Sequence, residues 1–170
     1  AKLIEHYPEG ITETAVPYLS VIRSDRQTTF ESGLITPSFC IIIRGNKRVH
    51  IGEEIFEYSD GDTLSSLIAI PATGMVVGAT PQNPYFGLKI ELSLHEIAAV
   101  ITEAGLKFDD TDKSPRVGAF VGRSSREVLE IFLKMLKLIE KPGEVFLAEL
   151  LNKEMLFRLL TGEYANHFFQ

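Results

Sequence analysis

The apolar residues change their period at about Leu92, and that change limits the chain to an architecture with a strand half and a helix half. From Val16 to about Leu92 short apolar runs alternate with turn chemistry: Ser32-Gly33, Arg44-Gly45-Asn46, Ser59 to Asp62, Ala72 to Gly74, and Thr80 to Pro84. Runs of this length and spacing predict an antiparallel sandwich or barrel. In its strongest strand Phe39, Ile41 and Ile43 fall on one face and Cys40, Ile42 and Arg44 on the other. The same alternation sets Leu88, Ile90 and Leu92 opposite Lys89 and Glu91. Period alone leaves the faces unassigned: Lys89 and Glu91 either orient a ligand inside the barrel or stand in solvent.

Beyond Leu92 the spacing is helical. Ser93-Leu94-His95-Glu96 fits a capping box, followed by apolar Leu94, Ile97, Ala98, Ile101 and Ala104 and a stop at Gly105. Lys107 to Arg123 reads as polar and turn-rich. Ser124-Ser125-Arg126-Glu127 repeats the capping pattern, with Ser124 as the cap, before a second helix that ends near Pro142-Gly143. A third runs from about Glu144 to Thr161, and the short turn between them predicts an antiparallel pair. The second helix carries two apolar stripes, one of Val128, Phe132, Met135 and Ile139 and another of Leu129, Leu133 and Leu136. One partner surface cannot cover both. Either the third helix and the sheet share them or a second subunit takes one, which makes Leu129, Leu133 and Leu136 dimer-interface candidates, with the third helix as the alternative.

Composition narrows the function classes. With 170 residues, 45% of them hydrophobic, the chain suits one globular domain. Its net charge of −6 offers no overall footprint for nucleic acid or an anionic membrane. No apolar stretch reaches membrane-span length and the N-terminus lacks a signal-peptide core, so the chain reads as soluble and untargeted. Cys40 is the only cysteine, which excludes intrachain disulfides and the usual cysteine zinc sites and favours a cytoplasmic setting. His6, His50, His95 and His167 include no His-x-His pair. His50 with Glu54 or Glu57 comes nearest to a metal site and reads better as an exposed hairpin histidine, so no metal is expected. There is no nucleophile elbow and no phosphate-binding glycine loop, and no catalytic residue or cofactor is expected. The basic cluster of Arg44, Lys47, Arg48 and His50 lacks interleaved aromatics and reads as solvated hairpin positions.

What remains is binding. Pocket candidates are Cys40, Ile42 and Arg44 on one side of the first strong strand, with Tyr58, Lys89 and Glu91.

The order of motifs resembles the N-terminal domain of AraC-type transcriptional regulators. The resemblance runs from about Val16 to the last residue and rests on Pro37-Ser38 with Cys40, Gly45-x-Lys47, Phe56-x-Tyr58-x-x-Gly61, Pro84-Tyr85 and Leu159-Leu160-x-Gly162. It implies an α+β fold, a cupin-like antiparallel β-barrel or sandwich followed by a C-terminal helical segment. It also implies one regulatory domain over residues 1–170: an arm (1–15), a barrel (16–92), a helical dimerisation segment (93–162) and the start of a linker (163–170). The function implied is effector sensing and homodimerisation, with DNA read by helix-turn-helix units that would follow Gln170. Two other readings remain open at this point: a metal-dependent cupin enzyme acting on a small molecule, and a dimerisation module without an effector.

Overall fold

The computed structural model describes residues 1–107 and 119–162. Ten strands form two antiparallel sheets. In the first, β1 (Gly10–Glu13), β2 (Leu19–Ser24), β9 (Tyr85–Glu91), β4 (Ser38–Arg44), β7 (Asp62–Ser66) and β10 (Ala119–Arg123) lie in that order. In the second the order is β3 (Glu31–Ile35), β8 (Ile70–Val77), β5 (Asn46–Ile51) and β6 (Glu54–Ser59). The helices are α1 (Leu94–Glu103), α2 (Arg126–Ile139) and α3 (Leu147–Thr161), with a short 3₁₀ turn at Pro142–Glu144.

The six-stranded sheet is buried on both faces along its central strands, where β4 reads as a near-continuous apolar run. Its outer face carries Phe39, Ile41, Phe86, Leu88 and Ile90, packed under Ile131, Phe132 and Met135 of α2 and Met155, Leu156 and Leu159 of α3. Phe39 and Phe132 stack at 6.0 Å across this layer. The inner face contributes Ile42, Leu64 and Tyr85 to a second core, shared with Val49, Ile51, Tyr58 and Val76 of the smaller sheet. Tight turns set the pairing: Gly45, at φ +108°, donates its N–H to the Asp60 carboxylate at 2.6 Å, and a Cβ there would press on Tyr85.

Several expectations require correction. The expected arm, residues 1–15, packs on the barrel. Ile4 and Tyr7 are buried against the larger sheet, and β1 pairs along β2. Arg23 fixes this segment by donating from Nη1 to the carbonyls of Glu5 and Tyr7, both at 3.0 Å. The polar stretch before α2 ends in a strand, β10, which pairs with β7; residues 108–118 of that stretch lie outside the described residues, as does the expected linker at 163–170. Helix α2 is capped by Ser125, whose hydroxyl accepts from the Val128 amide at 3.3 Å, and not by Ser124, whose hydroxyl is buried without a partner. The third helix starts at Leu147, because Pro142 and Gly143 begin a separate 3₁₀ turn.

A cavity between the sheets and two exposed helix faces

Register assigns the faces that period left open, because directly paired residues of antiparallel strands share a side. Cys40 pairs with Lys89 and Leu64, and Ile42 pairs with Gly87. Lys89 also pairs with Ser20 of β2, two residues before Ile22 and so on the same face, and the position of Ile22 opposite Gly87 puts it on the inner side. Cys40, Ile42 and Lys89 therefore look between the sheets. Glu91 follows Lys89 on that side but reaches the rim, where it meets the Lys89 ammonium at 3.2 Å. Tyr58 enters the same space from β6 and is buried in the inner core.

Arg44 does not belong with them. The register between β4 and β9 slips between Ile42 and Arg44, so Arg44 pairs with Phe86 and turns to the outer face. Its guanidinium sits 5.7 Å from the Phe86 ring centroid and 3.0 Å from the Glu5 carboxylate, where it helps hold the N-terminal segment. Strict alternation placed it inside; one bulge moved it out.

In its place the structure brings in Lys47, which the sequence had grouped with solvated hairpin charges. Lys47 pairs with Tyr58 on one side and Val76 on the other, so it shares the inner face with Val49 and Ile51. The signal was present in the alternation Lys47-x-Val49-x-Ile51, masked by the adjacent Arg48, which does face out and meets Glu57 at 2.6 Å. Lys47 lines a cavity of about 820 Å³ walled by Ile22, Ile35, Val49, Leu64, Ala72 and Val76. Polar groups ring its approach, among them Arg23, Arg26, Gln27, Thr28 and Glu31. Arg23 is paired with Asp25 at 2.6 Å and Arg26 with Glu9 at 3.6 Å. Among the described residues no hydrogen bond or ion pair meets Lys47 Nζ.

The electrostatics follow from enclosure. Burial lowers the Lys47 ammonium below the ordinary lysine value; the neighbouring Lys89 lowers it further, while Cys40 and Glu31 oppose the shift. Burial likewise pushes the Cys40 thiol up, partly offset by Lys47 and Lys89. Tyr58 is raised well above the usual phenol value, by burial first and then by Tyr85, and keeps its proton. Among the described residues no group of histidine, cysteine and carboxylate side chains could hold a metal ion. His50 instead sets its ring against Phe30 at 4.8 Å.

The helical layer leaves two apolar surfaces open. On α2, Val128, Phe132 and Met135 face the core, whereas Leu129 and Leu133 are 42% and 43% exposed; Leu136 packs partly against the core. On α3 the side away from the sheet exposes Leu150 and Phe157, and Phe146 just before it is 76% exposed. Between the two helices a groove of about 320 Å³ is floored by Leu138, Leu147, Leu150 and Leu151 and rimmed by Lys134, Lys137, Lys141, Glu144 and Glu154.

A two-sheet barrel with an internal cavity and an appended helical layer is the build of a cupin-like regulatory domain. The model of the AraC-type transcriptional regulator N-terminus matches residues 15–167, and the chain belongs to that family. Its fold is similar to that of ToxT from Vibrio cholerae. The chain matches apo ToxT K231A with a TM-score of 0.55 at 6% identity, covering 96% of this chain and 61% of that one. It matches ToxT bound to an unsaturated fatty acid at 0.54, with 5% identity and coverage of 89% and 55%. Against ToxT bound to (E)-4-(8-methylnaphthalen-1-yl)but-3-enoic acid the values are 0.51 and 7%, with coverage of 84% and 57%. The chain thus spans less than two thirds of the ToxT chains it matches. No curated protein sequence matches it. The domain is regulatory and not an enzyme. No described helix is long and apolar enough to cross a membrane.

Proposed function

We propose that this chain is the effector-sensing and dimerising part of a DNA-binding transcription factor, taking a small organic molecule with an apolar body into the cavity between its sheets. The observation that carries the reading is the cavity itself: about 820 Å³ of space with aliphatic walls, in a barrel that leaves it unfilled by side chains. That two of the ToxT structures similar in fold hold molecules with apolar bodies supports the assignment. The exposed leucines of α2 and the outer face of α3 support pairing with a second copy. Sensing requires only that the effector prefer one conformation of the helical layer over another.

Titration with the neutral apolar dye N-phenyl-1-naphthylamine tests the cavity. Saturable fluorescence is expected, lost in Val49→Phe, which fills the wall. At a hundredfold excess over its Kd a ligand adds about 2.7 kcal/mol, or a rise in Tm of roughly 5–10 °C. A dye signal unchanged by Val49→Phe would leave the chain as a dimerisation module without an effector. For the dimer, Leu133→Glu is expected to yield monomer by light scattering, and a dimer of unchanged mass would move the interface to α3.

A further inference from the structure

The cavity holds one feature that a passive apolar pocket has no need of. Lys47 lines it from β5, partly buried and without an ion pair among the described residues, although an ammonium withdrawn from water without a partner is costly. Lys89 stands on the inner face of β9 outside the cavity lining, near enough for its charge to act on Lys47, and is already matched by Glu91. The Arg26 cation at the approach is matched by Glu9, and Arg23, which pairs with Phe86, sets its guanidinium on the outer face against Asp25. Glu31, also in the lining, adds negative charge and makes the space less hospitable to an anion. An amine desolvated by an apolar pocket and set beside a second ammonium is the arrangement that turns lysine into a nucleophile toward carbonyl compounds.

Resting on the reading of this cavity as the effector site, we propose that Lys47 captures its ligand covalently, as a reversible imine with an aldehyde that carries an apolar chain or ring. The neutral amine lone pair of Nζ forms a C–N bond to the carbonyl carbon as the carbonyl π pair moves to oxygen, and one of the two nitrogen protons passes to that oxygen to give a hydroxyl. The second nitrogen proton is then transferred to the hydroxyl, which leaves as water while the nitrogen lone pair forms the C=N bond, so that one amine and one aldehyde yield one imine and one water. No oxidant or reductant is consumed. Capture makes the nitrogen a weaker base, so it holds a charge less readily, and fills the aliphatic walls at the same time. Recognition therefore selects a carbonyl carbon attached to an apolar body, with Glu31 the remaining unmatched charge in the lining.

The test treats the protein at neutral pH with limiting hexanal and cyanoborohydride, which reduces an imine to a stable amine but leaves a thiohemiacetal on Cys40 unreduced. The expected result is one hexyl group per chain, mapped by peptide mass spectrometry to Lys47, retained in Cys40→Ser and absent in Lys47→Arg. Exposed lysines should be labelled at least tenfold more slowly. Peptide mapping of the unaltered protein decides the matter even where Lys47→Arg fails to fold. Labels spread over exposed lysines with Lys47 unmodified, while the neutral dye still binds, would overturn capture and leave the cavity reading intact. Hexanoate binding that vanishes in Lys47→Met, without reductive labelling, would also overturn it and make Lys47 an anion site. If neither hexanal nor the dye enters, the cavity reading falls as well.

Discussion

Replacing Phe39 by Ala probes the contact on which the whole architecture depends, the seating of α2 on the outer face of the six-stranded sheet. Phe39 is fully buried and stacks on Phe132 at 6.0 Å with its ring plane tilted by 18°. A buried aromatic side chain removes roughly 150–250 Å² from water, about 4–6 kcal/mol at ~25 cal/mol per Å². Truncations of buried Phe to Ala cost about 3–5 kcal/mol. For a domain of this size that is a fall in Tm of roughly 6–20 °C. Urea unfolding of the wild type, Phe39→Ala, Phe132→Ala and the double variant separates burial from the ring pair. The cycle should show a coupling of about 0.5–1.5 kcal/mol. A loss below about 1 kcal/mol for Phe39→Ala would mean that α2 does not rest on this face, and a coupling near zero would mean that the rings do not meet.

Three further outcomes follow from single contacts. Ser125→Ala should cost about 1 kcal/mol, whereas Ser124→Ala should be neutral or stabilising because its hydroxyl is buried without a partner; equal losses in urea melts would refute the cap assignment. Arg44→Ala should expose the N-terminal segment to limited proteolysis without changing dye affinity, and a weakened dye Kd would return Arg44 to the cavity. Lys47→Met should flatten the pH dependence of stability. The folded lysine ionises below its unfolded value of 10.5, so between those two values the unfolded chain holds more protons and wild-type stability falls as pH falls. The gap between variant and wild type should therefore widen from pH 10 towards the folded value in chemical-denaturation series, and a constant gap would show that the folded amine is not depressed. The raised tyrosines Tyr58 and Tyr85 are common to both proteins and cancel from the difference.

The strand half and the helix half were legible because their periods differ, and the first helix was placed to within a residue or two by Ser93 and Gly105. The site was legible only in part. Cys40, Ile42, Tyr58 and Lys89 lie on the inner face, while Glu91 stands at the rim and Arg44 is outside. Lys47 was hidden because its neighbours Arg48 and His50 made the segment look uniformly solvated, although each second residue points the other way. The N-terminal segment looked unattached because the residues that hold it, Arg23 and Arg44, are distant in sequence.

Sequence by itself determined the division into a strand half and a helix half, the main turns, the apolar stripes and the family, all of which depend on residues close together in the chain. Tertiary structure alone decided which face of each strand looks inward, because that depends on register between strands far apart and on a single slip after Ile42. It also decided that a lysine in a run of charges is enclosed. An isolated strand leaves every side chain in water, and only the closing of one sheet over another withdraws solvent from one side and turns Lys47 from a surface charge into the one unpaired cation described in the cavity lining.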